Sequence, residues 1–481
     1  MAEEKEQKGI TVKKDEDFSE WYTQVIQKAE LADYTQVSGC IVFRPYSYAI
    51  WEKVKEEVDK RIKVLGVKNA YFPLLIPESL LNKEAEHVEG FSPEVAWVTQ
   101  GGNTILNERL AVRPTSEAIM YDSYSKWVRS WRDLPLKLNQ WNNVVRWEFK
   151  HPVPFLRTRE FLWNEGHTAF ATKEEAEKEI HEILNVYKEV VEDYMALYGL
   201  LGRKSDKEKF AGAEYTCSFE YLMPSGKAVQ GPDAHHDGQK FAKAYNIKFL
   251  NKEKKEEYVW QNTWAISTRM LGVMFAVHGD DKGLILPPRI APIQVVIIPI
   301  LFDNTKEKVL KKAKEIQKSL EEIRAELDDR EGYSPGWKFN EWELKGVPIR
   351  IEIGPKDLEK NQVILVRRDI GKKETVPIKN AQKVIKETLD VIQESLFKNS
   401  KNFIERNLEK VETIEELKKA LDKKKIALSP WCGTRECEDW IKDQTGGAKI
   451  LNIPFDQPKK LGKCVWCKKE GKKAVYIGKN Y

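Results

Sequence analysis

Apolar residues recur at helical spacing after Pro45: Trp51, Val54, Val58, Ile62 and Leu65 follow one another at intervals of 3, 4, 4 and 3. That is one apolar stripe of an α-helix. Pro45 suits a first-turn position, and Gly66 is a natural stop. The run NAYFPLLIP over 69–77 predicts a short strand. Proline cannot donate to a ladder, so Pro73 puts that strand at an edge or an interface. From about 97 to 170 the chain is rich in Trp and short polar runs, which predicts an antiparallel sheet with loops. Thr172 and Glu175 form a capping box for a second long helix, with Ile180, Ile183, Leu184, Tyr187, Val191 and Tyr194 on its buried face.

The character changes near residue 288. QVVIIPIL reads as a buried strand, and a helix follows with Val309, Ile316, Leu320, Ile323 and Leu327 on one face. PIRIEIG and QVILVRR are further strands. Strand, helix, strand in that order predicts an α/β domain, with its first break at 287–292. Beyond it, a helical pattern runs to about 424 and gives way to a Cys- and Lys-rich end. The expected architecture is α/β and multidomain: a charged, frayed tail over 1–16, then domains over 17–287, 288–398 and 399–481.

Composition narrows the function classes. Hydrophobic residues make up 41% and charged residues 32% of the 481, which fits a soluble globular chain rather than a disordered one. Lys plus Arg is 80 against 75 for Asp plus Glu, a net charge of +5. A histone-like polycation is excluded, and any nucleic-acid site must be a local basic patch. The longest apolar run, around Pro292–Leu301, is strand-sized, so no membrane span is expected. The N-terminal MAEEKEQKGI lacks the apolar core of a signal peptide, which points to the cytoplasm. Disulfides are rare there, so clustered cysteines need another cause.

Two constellations carry chemistry. Cys432-x4-Cys437 and Cys464-x2-Cys467 are two close pairs separated by a loop, as a structural four-thiolate zinc site requires. Cys40 and Cys217 are isolated and read as core. The second constellation is a set of arginines alternating with acids: Arg113 and Glu117 in RPTSE, Arg146 and Glu148 in VVRWEFK, Arg157 and Arg159 in FLRTREF. Glu165 and His167 in WNEGH, and Arg269 in STRMLG, complete it. Arginine grips phosphate or carboxylate bidentately, and Arg269 at the third position of an expected helix adds free N–H groups. Any one Arg–Glu pair could be a surface ion pair of little worth, but aromatic neighbours such as Trp147, Phe161 and Trp163 argue for partly buried sheet. The pair His235-His236 and the dipeptide His181-Glu182 read as substrate contact or packing, not as metal ligands. No GxxxxGK[ST] loop and no GxGxxG after a strand is present, so a nucleotide would have to be held by the arginines. Residues 459–481 carry eight Lys and one Glu, interleaved with Trp466, Tyr476 and Tyr481. That basic end is equally a patch for nucleic-acid backbone and a solvated charged surface.

Together these motifs resemble the class II aminoacyl-tRNA synthetases, and within them the prolyl-tRNA synthetase family of archaeal/eukaryotic type. The helix from Pro45 with the strand ending at Pro73 resembles motif 1, VVRWEFKHPVPFLRTREFLWNEGH motif 2, and QNTWAISTRMLGVMFAVHGDDKGLILPPRIAP motif 3. RPTSE is similar to that family's proline-binding loop, and WELKGVPIRIEIGPKD to the core of its anticodon-binding domain. The resemblance covers about 17–481, and the HIGH and KMSKS signatures of class I are absent. It implies a class II antiparallel sheet with helices, an α/β anticodon-binding domain and a small zinc-containing α/β C-terminal domain.

The implied activity is ATP-dependent formation of prolyl-adenylate, then transfer to the 3′-terminal ribose of tRNA(Pro), by a homodimer. Arg146 and Arg269 are implied as catalytic. Phe91, Thr115, Glu117, Arg146, Trp163, Glu165, His167, His235 and Ser267 are implied around proline. Arg146, Glu148, Arg157, Gln230, Asp233, Ser267 and Arg269 are implied around ATP with its Mg2+, and Glu352, Lys356 and Asp357 at the anticodon. One departure stands out: QGPDAHH carries Asp233 where eukaryotic relatives place a small hydroxyl residue. The competing expectations are a class II ligase for another small amino acid and a non-catalytic tRNA-binding paralogue.

Overall fold

The computed structural model describes residues 9–87, 94–148 and 151–481. Its largest sheet has 11 strands, drawn from Lys68–Ser267 and Leu408–Asn480. In spatial order its strands are Leu408–Lys410, Ile426–Trp431, Lys473–Asn480, Lys449–Pro454, Leu200–Arg203, Tyr215–Leu222, Lys227–Gly238, Trp260–Ser267, Glu160–Phe170, Leu136–Val145 and Lys68–Asn69. The six strands from Leu200–Arg203 to Leu136–Val145 are antiparallel throughout, as the pattern over 97–170 predicts for its own part. The helix Lys173–Glu189, capped by Thr172 and Glu175, packs its apolar face under this sheet beside Arg269–His278.

The helix Pro45–Val64 forms as expected, and its stripe of Trp51, Val54, Val58 and Ile62 is buried in the same core. The strand expected over 69–77 is two strands in two sheets. Lys68–Asn69 pairs with Leu138 and Asn139, while Leu75–Pro77 pairs with Leu110–Val112 of a separate three-stranded sheet. Pro73 falls in the break, and both pieces are edge strands. The region 97–170 also holds a helix, Glu117–Trp127, that its sequence pattern did not suggest.

The second domain is a five-stranded mixed sheet in the order Ala325–Leu327, Val295–Pro299, Ile349–Ile353, Gln362–Arg367 and Lys373–Pro377. The first three strands are parallel and the last two antiparallel. Its first helix stops at Ser319, not at Leu327. Leu327 belongs to the strand beside Val295–Ile297, and Ile323 to the turn before it. Apolar residues needed inward by a turn and a strand happened to continue the helical spacing. The boundary expected at 398 lies inside the helix Ala381–Arg406, and the strand Leu408–Lys410 interrupts the helical pattern expected to 424.

The C-terminal segment is no separate appendage, because its strands extend the largest sheet. Ile453 and Pro454 pair with Arg203 and Gly202, and Lys479 and Asn480 pair with Lys227 and Ala228. At Gly202 a Cβ would stand 2.4 Å from the Ile453 carbonyl oxygen, so only glycine permits this approach. The described part of the N-terminal tail is not frayed. Ile10 and Val12 pack on the main core, and the Lys14 ammonium donates to the carbonyl of Gly279. Cys217 is buried as expected, whereas Cys40 is only half-buried. No helix among the described residues is long and apolar enough to cross a membrane.

Candidate active site

Strand register assembles the site in rows. Leu138, His167, Thr263, His235 and Thr216 are directly paired across five adjacent strands. Two residues along, the row is Gln140, Glu165, Ala265, Asp233 and Ser218. Side chains two apart share a face, so both rows point the same way. That face opens into a cavity of about 410 Å3 lined by Thr115, Glu117, Arg146, Glu148, Trp163, Glu165, His167, Gln230, Asp233 and His235, with Thr216, Thr263 and residues 208–210. Gly166 faces the other side of the sheet, where a Cβ would lie 2.1 Å from the Trp264 indole, so glycine lets that ring pack against the sheet behind the cavity. A second cavity of about 250 Å3 holds Arg157, Arg269, Lys204 and Lys449, and the two share Gln230 and Glu208.

The two carboxylates of the first cavity differ. Glu165 accepts from the Ser116 N–H (3.0 Å), the Gln140 amide (3.2 Å), the Ser116 hydroxyl and the Asn142 amide, and pairs with His167 Nε2 at 3.0 Å. Burial works against its charge. The His167 pair and the donors from Ser116 and Asn142 outweigh it, holding the carboxyl down at about 2. Burial likewise opposes charge on His167, but Glu165 and Glu117 raise its pKa. Glu117, the first residue of its helix, has one carboxylate oxygen on the Thr115 hydroxyl and no arginine partner among the described residues. It is buried, yet keeps acceptor capacity toward the cavity. Ligand atoms of Glu117, Glu165 and His167, three residues expected around proline, lie within 4.8 Å of one another. With Glu165 engaged by five donors, the cluster makes a better cradle for an ammonium than for a metal.

The arginines divide in the same way. Arg146 uses Nε on the Pro114 carbonyl (3.2 Å) and lies over the rings of Phe161 and Trp163 at 5.4 and 5.3 Å. Its terminal nitrogens make no hydrogen bond among the described residues. Arg269 donates to the carbonyls of Leu156 (3.0 Å) and Gln230 (3.2 Å). Burial, followed by the charge of Arg146, lowers its pKa; Arg157 acts in the same sense and Asp233 opposes. Three guanidiniums stand close enough to sense one another, the electrostatics of a polyanion site. Arg269 is the first residue of its helix rather than the third. Arg113, by contrast, is fully engaged in structure, donating to Phe72 O, Asn143 O and Asn143 Oδ1.

Asp233 fits its surroundings. It accepts from the Gln230 amide at 2.6 Å and faces His235 Nε2 at 3.5 Å, raising the His235 pKa against the effect of burial. Ser267 lines neither cavity; its hydroxyl accepts from the Arg269 N–H at 3.3 Å. Phe91 lies outside the described residues. Thr216, Thr263, Lys204 and the 208–210 stretch were missed from the sequence. Thr263 alone had a signal, the two-residue alternation of QNTWAIST.

A family model for the class II core domain of tRNA synthetases (G, H, P, S and T) matches residues 102–278. Models for an anticodon binding domain and for the C-terminal part of prolyl-tRNA synthetase match 294–388 and 414–481. The proline--tRNA ligase of Natranaerobius thermophilus is 51% identical over 97% of each chain. The cytoplasmic proline--tRNA ligase of Arabidopsis thaliana is 50% identical over 98% of this chain and 91% of its own. That of Lachnoclostridium phytofermentans is 50% identical over 100% of both. The chain belongs to the prolyl-tRNA synthetase family. The class II resemblance of the three motifs is thereby met, and neither competing expectation is favoured. As a class II synthetase the chain uses ATP.

The remaining expected sites lie outside the two cavities. Cys432, Cys437, Cys464 and Cys467 are all free thiols with sulfurs within 4.8 Å of one another. A tetrahedral zinc with bonds of about 2.3 Å needs sulfurs roughly 3.8 Å apart, so the donor set fits. Backbone N–H groups of Cys467, Trp466 and Cys432 are directed at the Cys464 sulfur, as a thiolate would require. In the second domain Glu352 is buried, accepting from Arg350 Nη2 (2.9 Å) and facing Lys373 Nζ (3.3 Å). Asp357 accepts from the Gly354 N–H at 3.0 Å and caps a short helix, while Lys356 is exposed.

Proposed function

We infer that the chain ligates proline to tRNA(Pro) in two steps. A proline carboxylate oxygen attacks the ATP α-phosphorus, that O–P bond forms, and the bond to pyrophosphate breaks. The 3′-terminal ribose hydroxyl of the tRNA then attacks the prolyl carbonyl and AMP leaves. The carboxylate is ionised at neutral pH, so no general base is needed in the first step. Catalysis rests on positioning and charge stabilisation. Arg146, with its terminal nitrogens unengaged, bridges the α-phosphate and the proline carboxylate. Arg157 and Arg269 hold the triphosphate tail in the second cavity, and Gln230, Asp233 and Glu148 contact the nucleotide nearer the first.

Glu117 with Thr115 accepts the secondary ammonium of proline. Trp163, His167 and His235 wall the ring, and Glu165 acts through His167 and Ser116. Glu208 and Glu220, paired with Lys449 and Lys204, are the acids at the second cavity that would face Mg2+ bound with ATP, which would neutralise phosphate charge. Zinc on the four cysteines is structural, since four thiolates leave no open position, and metal analysis is expected to return about one zinc per chain. Exposed apolar residues occur at Tyr71 (73% exposed), Leu74 and Leu75, leading into the edge strand Leu75–Pro77, and at Ile105 (80%) on the strand paired with it. They support a homodimer through that edge, because the apolar stripe of Pro45–Val64 is already buried within its own chain. Glu352, Lys356 and Asp357 lie in the region that reads the anticodon, and the cytoplasm is the expected compartment. The second domain begins near 288, and the last division is better taken near Leu408 than at 398.

The observation that carries this reading is the convergence of one carboxylate with spare acceptor capacity and three arginines, Arg146 with its terminal nitrogens unengaged among the described residues, on two contiguous cavities. An ATP–pyrophosphate exchange panel across amino acids, with and without tRNA, tests it. Exchange with proline alone among the small amino acids is expected. Preferred exchange with another amino acid would overturn the substrate, and no exchange at all would overturn the activity.

A further inference from the structure

Residues 204–214 form an irregular loop between the strands Leu200–Arg203 and Tyr215–Leu222. Glu208, Lys209 and Phe210 from this loop line the amino-acid cavity, and Glu208 lines the second cavity as well. From its own side the loop is held at its far end, where the Phe210 ring stacks on Phe241 at 6.2 Å and Lys240 Nζ donates to the Ala213 carbonyl at 3.1 Å; its first half is tied from outside. Ser205 Oγ donates to Glu438 Oε1 at 2.8 Å, in a buried contact. Lys207 pairs with Asp439. Lys449 Nζ donates to Glu208 Oε2 at 2.9 Å. All three partners belong to the C-terminal domain. Glu438 and Asp439 sit on the helix Arg435–Gln444, which also carries Cys437.

The base of the loop is fixed by the same domain, since Asn452 Nδ2 donates to the carbonyls of Leu200 (2.7 Å) and Ser218 (3.2 Å). At its far end the loop reaches the cavity wall. The Phe210 N–H donates to Thr216 Oγ1 at 3.0 Å, and that oxygen lies 2.7 Å from His235 Nδ1. The Phe210 and His235 rings are 5.0 Å apart.

We propose that the C-terminal domain is a positioning element for adenylation: it clamps the 204–214 loop, and through Phe210 and Thr216 it sets the His235 wall of the amino-acid cavity. This rests on the reading of that cavity as the proline site. Ser205, Lys207, Glu438 and Asp439 are positioning residues, since none of them lines either cavity. A loop left untethered would sample open positions and weaken substrate binding more than turnover.

The test is a charge swap away from the cavity and the cysteines: Lys207→Asp, Asp439→Lys and the double variant, with Ser205→Ala alongside. Each single variant is expected to raise the KM for proline in ATP–pyrophosphate exchange roughly two- to fivefold, the range of a partly exposed ion pair, and to change kcat less. Amide hydrogen exchange over residues 205–213 should quicken in each, with zinc content unchanged. The double variant should restore both readouts. Single variants that match wild type in loop exchange and KM would overturn the proposal, as would a double variant no better than the singles. If the wild-type protein did not activate proline, the active-site reading would fail, while hydrogen exchange would still judge the clamp.

Discussion

Glu117 and Glu352 are both buried acids within reach of basic side chains, yet they sit in opposite chemical situations. Glu352 is held between Arg350 and Lys373 on neighbouring strands, so its charge is answered within the fold. Glu117 has a hydroxyl for company and keeps acceptor capacity toward a cavity that also holds Arg146. A buried acid matched by its own fold stabilises a domain and has little left for a ligand. One left partly unmatched carries an electrostatic cost that a cationic ligand relieves. The difference does not lie in residue type or burial but in whether hydrogen-bonding capacity is already engaged.

The largest effect should come from the cation in the cavity with most left to offer. Arg146→Ala should lower adenylate formation about 100- to 1,000-fold, the cost of removing a preorganised donor at developing charge. Circular dichroism and thermal melting should stay near wild type, since the side chain gives the fold a single hydrogen bond. Adenylate formation within tenfold of wild type in a folded variant would mean that unengaged capacity does not mark the catalytic arginine.

Next is the acid itself. Glu117→Gln keeps shape and removes charge. It should weaken proline binding by roughly 1.5–3 kcal/mol, the range for a hydrogen bond to a charged group, and leave ATP binding without proline almost unchanged. Glu165→Gln should behave differently, losing stability as well, because four donors from Ser116, Gln140 and Asn142, and His167 with them, lose their acceptor charge. Unchanged proline affinity in Glu117→Gln would assign the ammonium to another acceptor.

This contrast explains how far the sequence could be read. Motif order identified the fold, the arginines and the cysteines, because those signals are local. Glu117, Arg146, Glu165, His167 and His235 were named from sequence and meet in one cavity. What stayed hidden depends on pairing between distant segments. Whether Glu165 is engaged depends on Gln140 and Asn142 of the neighbouring strand, and nothing local to Arg113 shows that Phe72 and Asn143 occupy it. The short strands around Pro73 and the helix that stops at Ser319 were misjudged because a few apolar residues fit either period. The 204–214 loop has no period at all, and only the fold brings it to the cavity.

A third acid sharpens the comparison through pH. Asp237 is fully buried beneath Glu117, His167 and His235, and neither of its oxygens makes a hydrogen bond of good geometry. Burial raises its pKa from 3.8 to about 7, with His235 opposing. The folded state therefore holds a proton that the unfolded chain releases between those two values. Stability falls as pH rises through that window and levels off above it. Asp237→Asn should remove that fall. Relative to wild type its unfolding free energy should gain about 3 kcal/mol more at pH 8 than at pH 4.5, at about 1.4 kcal/mol per pH unit across the window. An equal change at both values would mean that the carboxylate is charged and bonded in the fold.

The smallest effect is expected where the second domain meets RNA. Lys356 is exposed and makes no hydrogen bond or ion pair among the described residues, so it keeps the capacity that Glu352 and Asp357 do not. Guanine edges offer acceptors that a lysine can reach, and phosphates attract it in any case. Lys356→Ala should raise the KM for tRNA roughly fivefold, equivalent to about 1 kcal/mol, at the low end for a base contact. It should spare tRNA-independent exchange and the melting temperature. Glu352→Gln should do the reverse, lowering the melting temperature of the second domain because Arg350 and Lys373 lose their counter-charge. The salt dependence of tRNA binding separates the two lysine roles. A slope reduced by about one would mark a phosphate contact, and an unchanged slope with altered anticodon preference would mark a base contact. A Glu352→Gln protein that lost tRNA affinity while keeping its stability would show that an internally paired acid can still read RNA, and the distinction drawn between the two acids would fail.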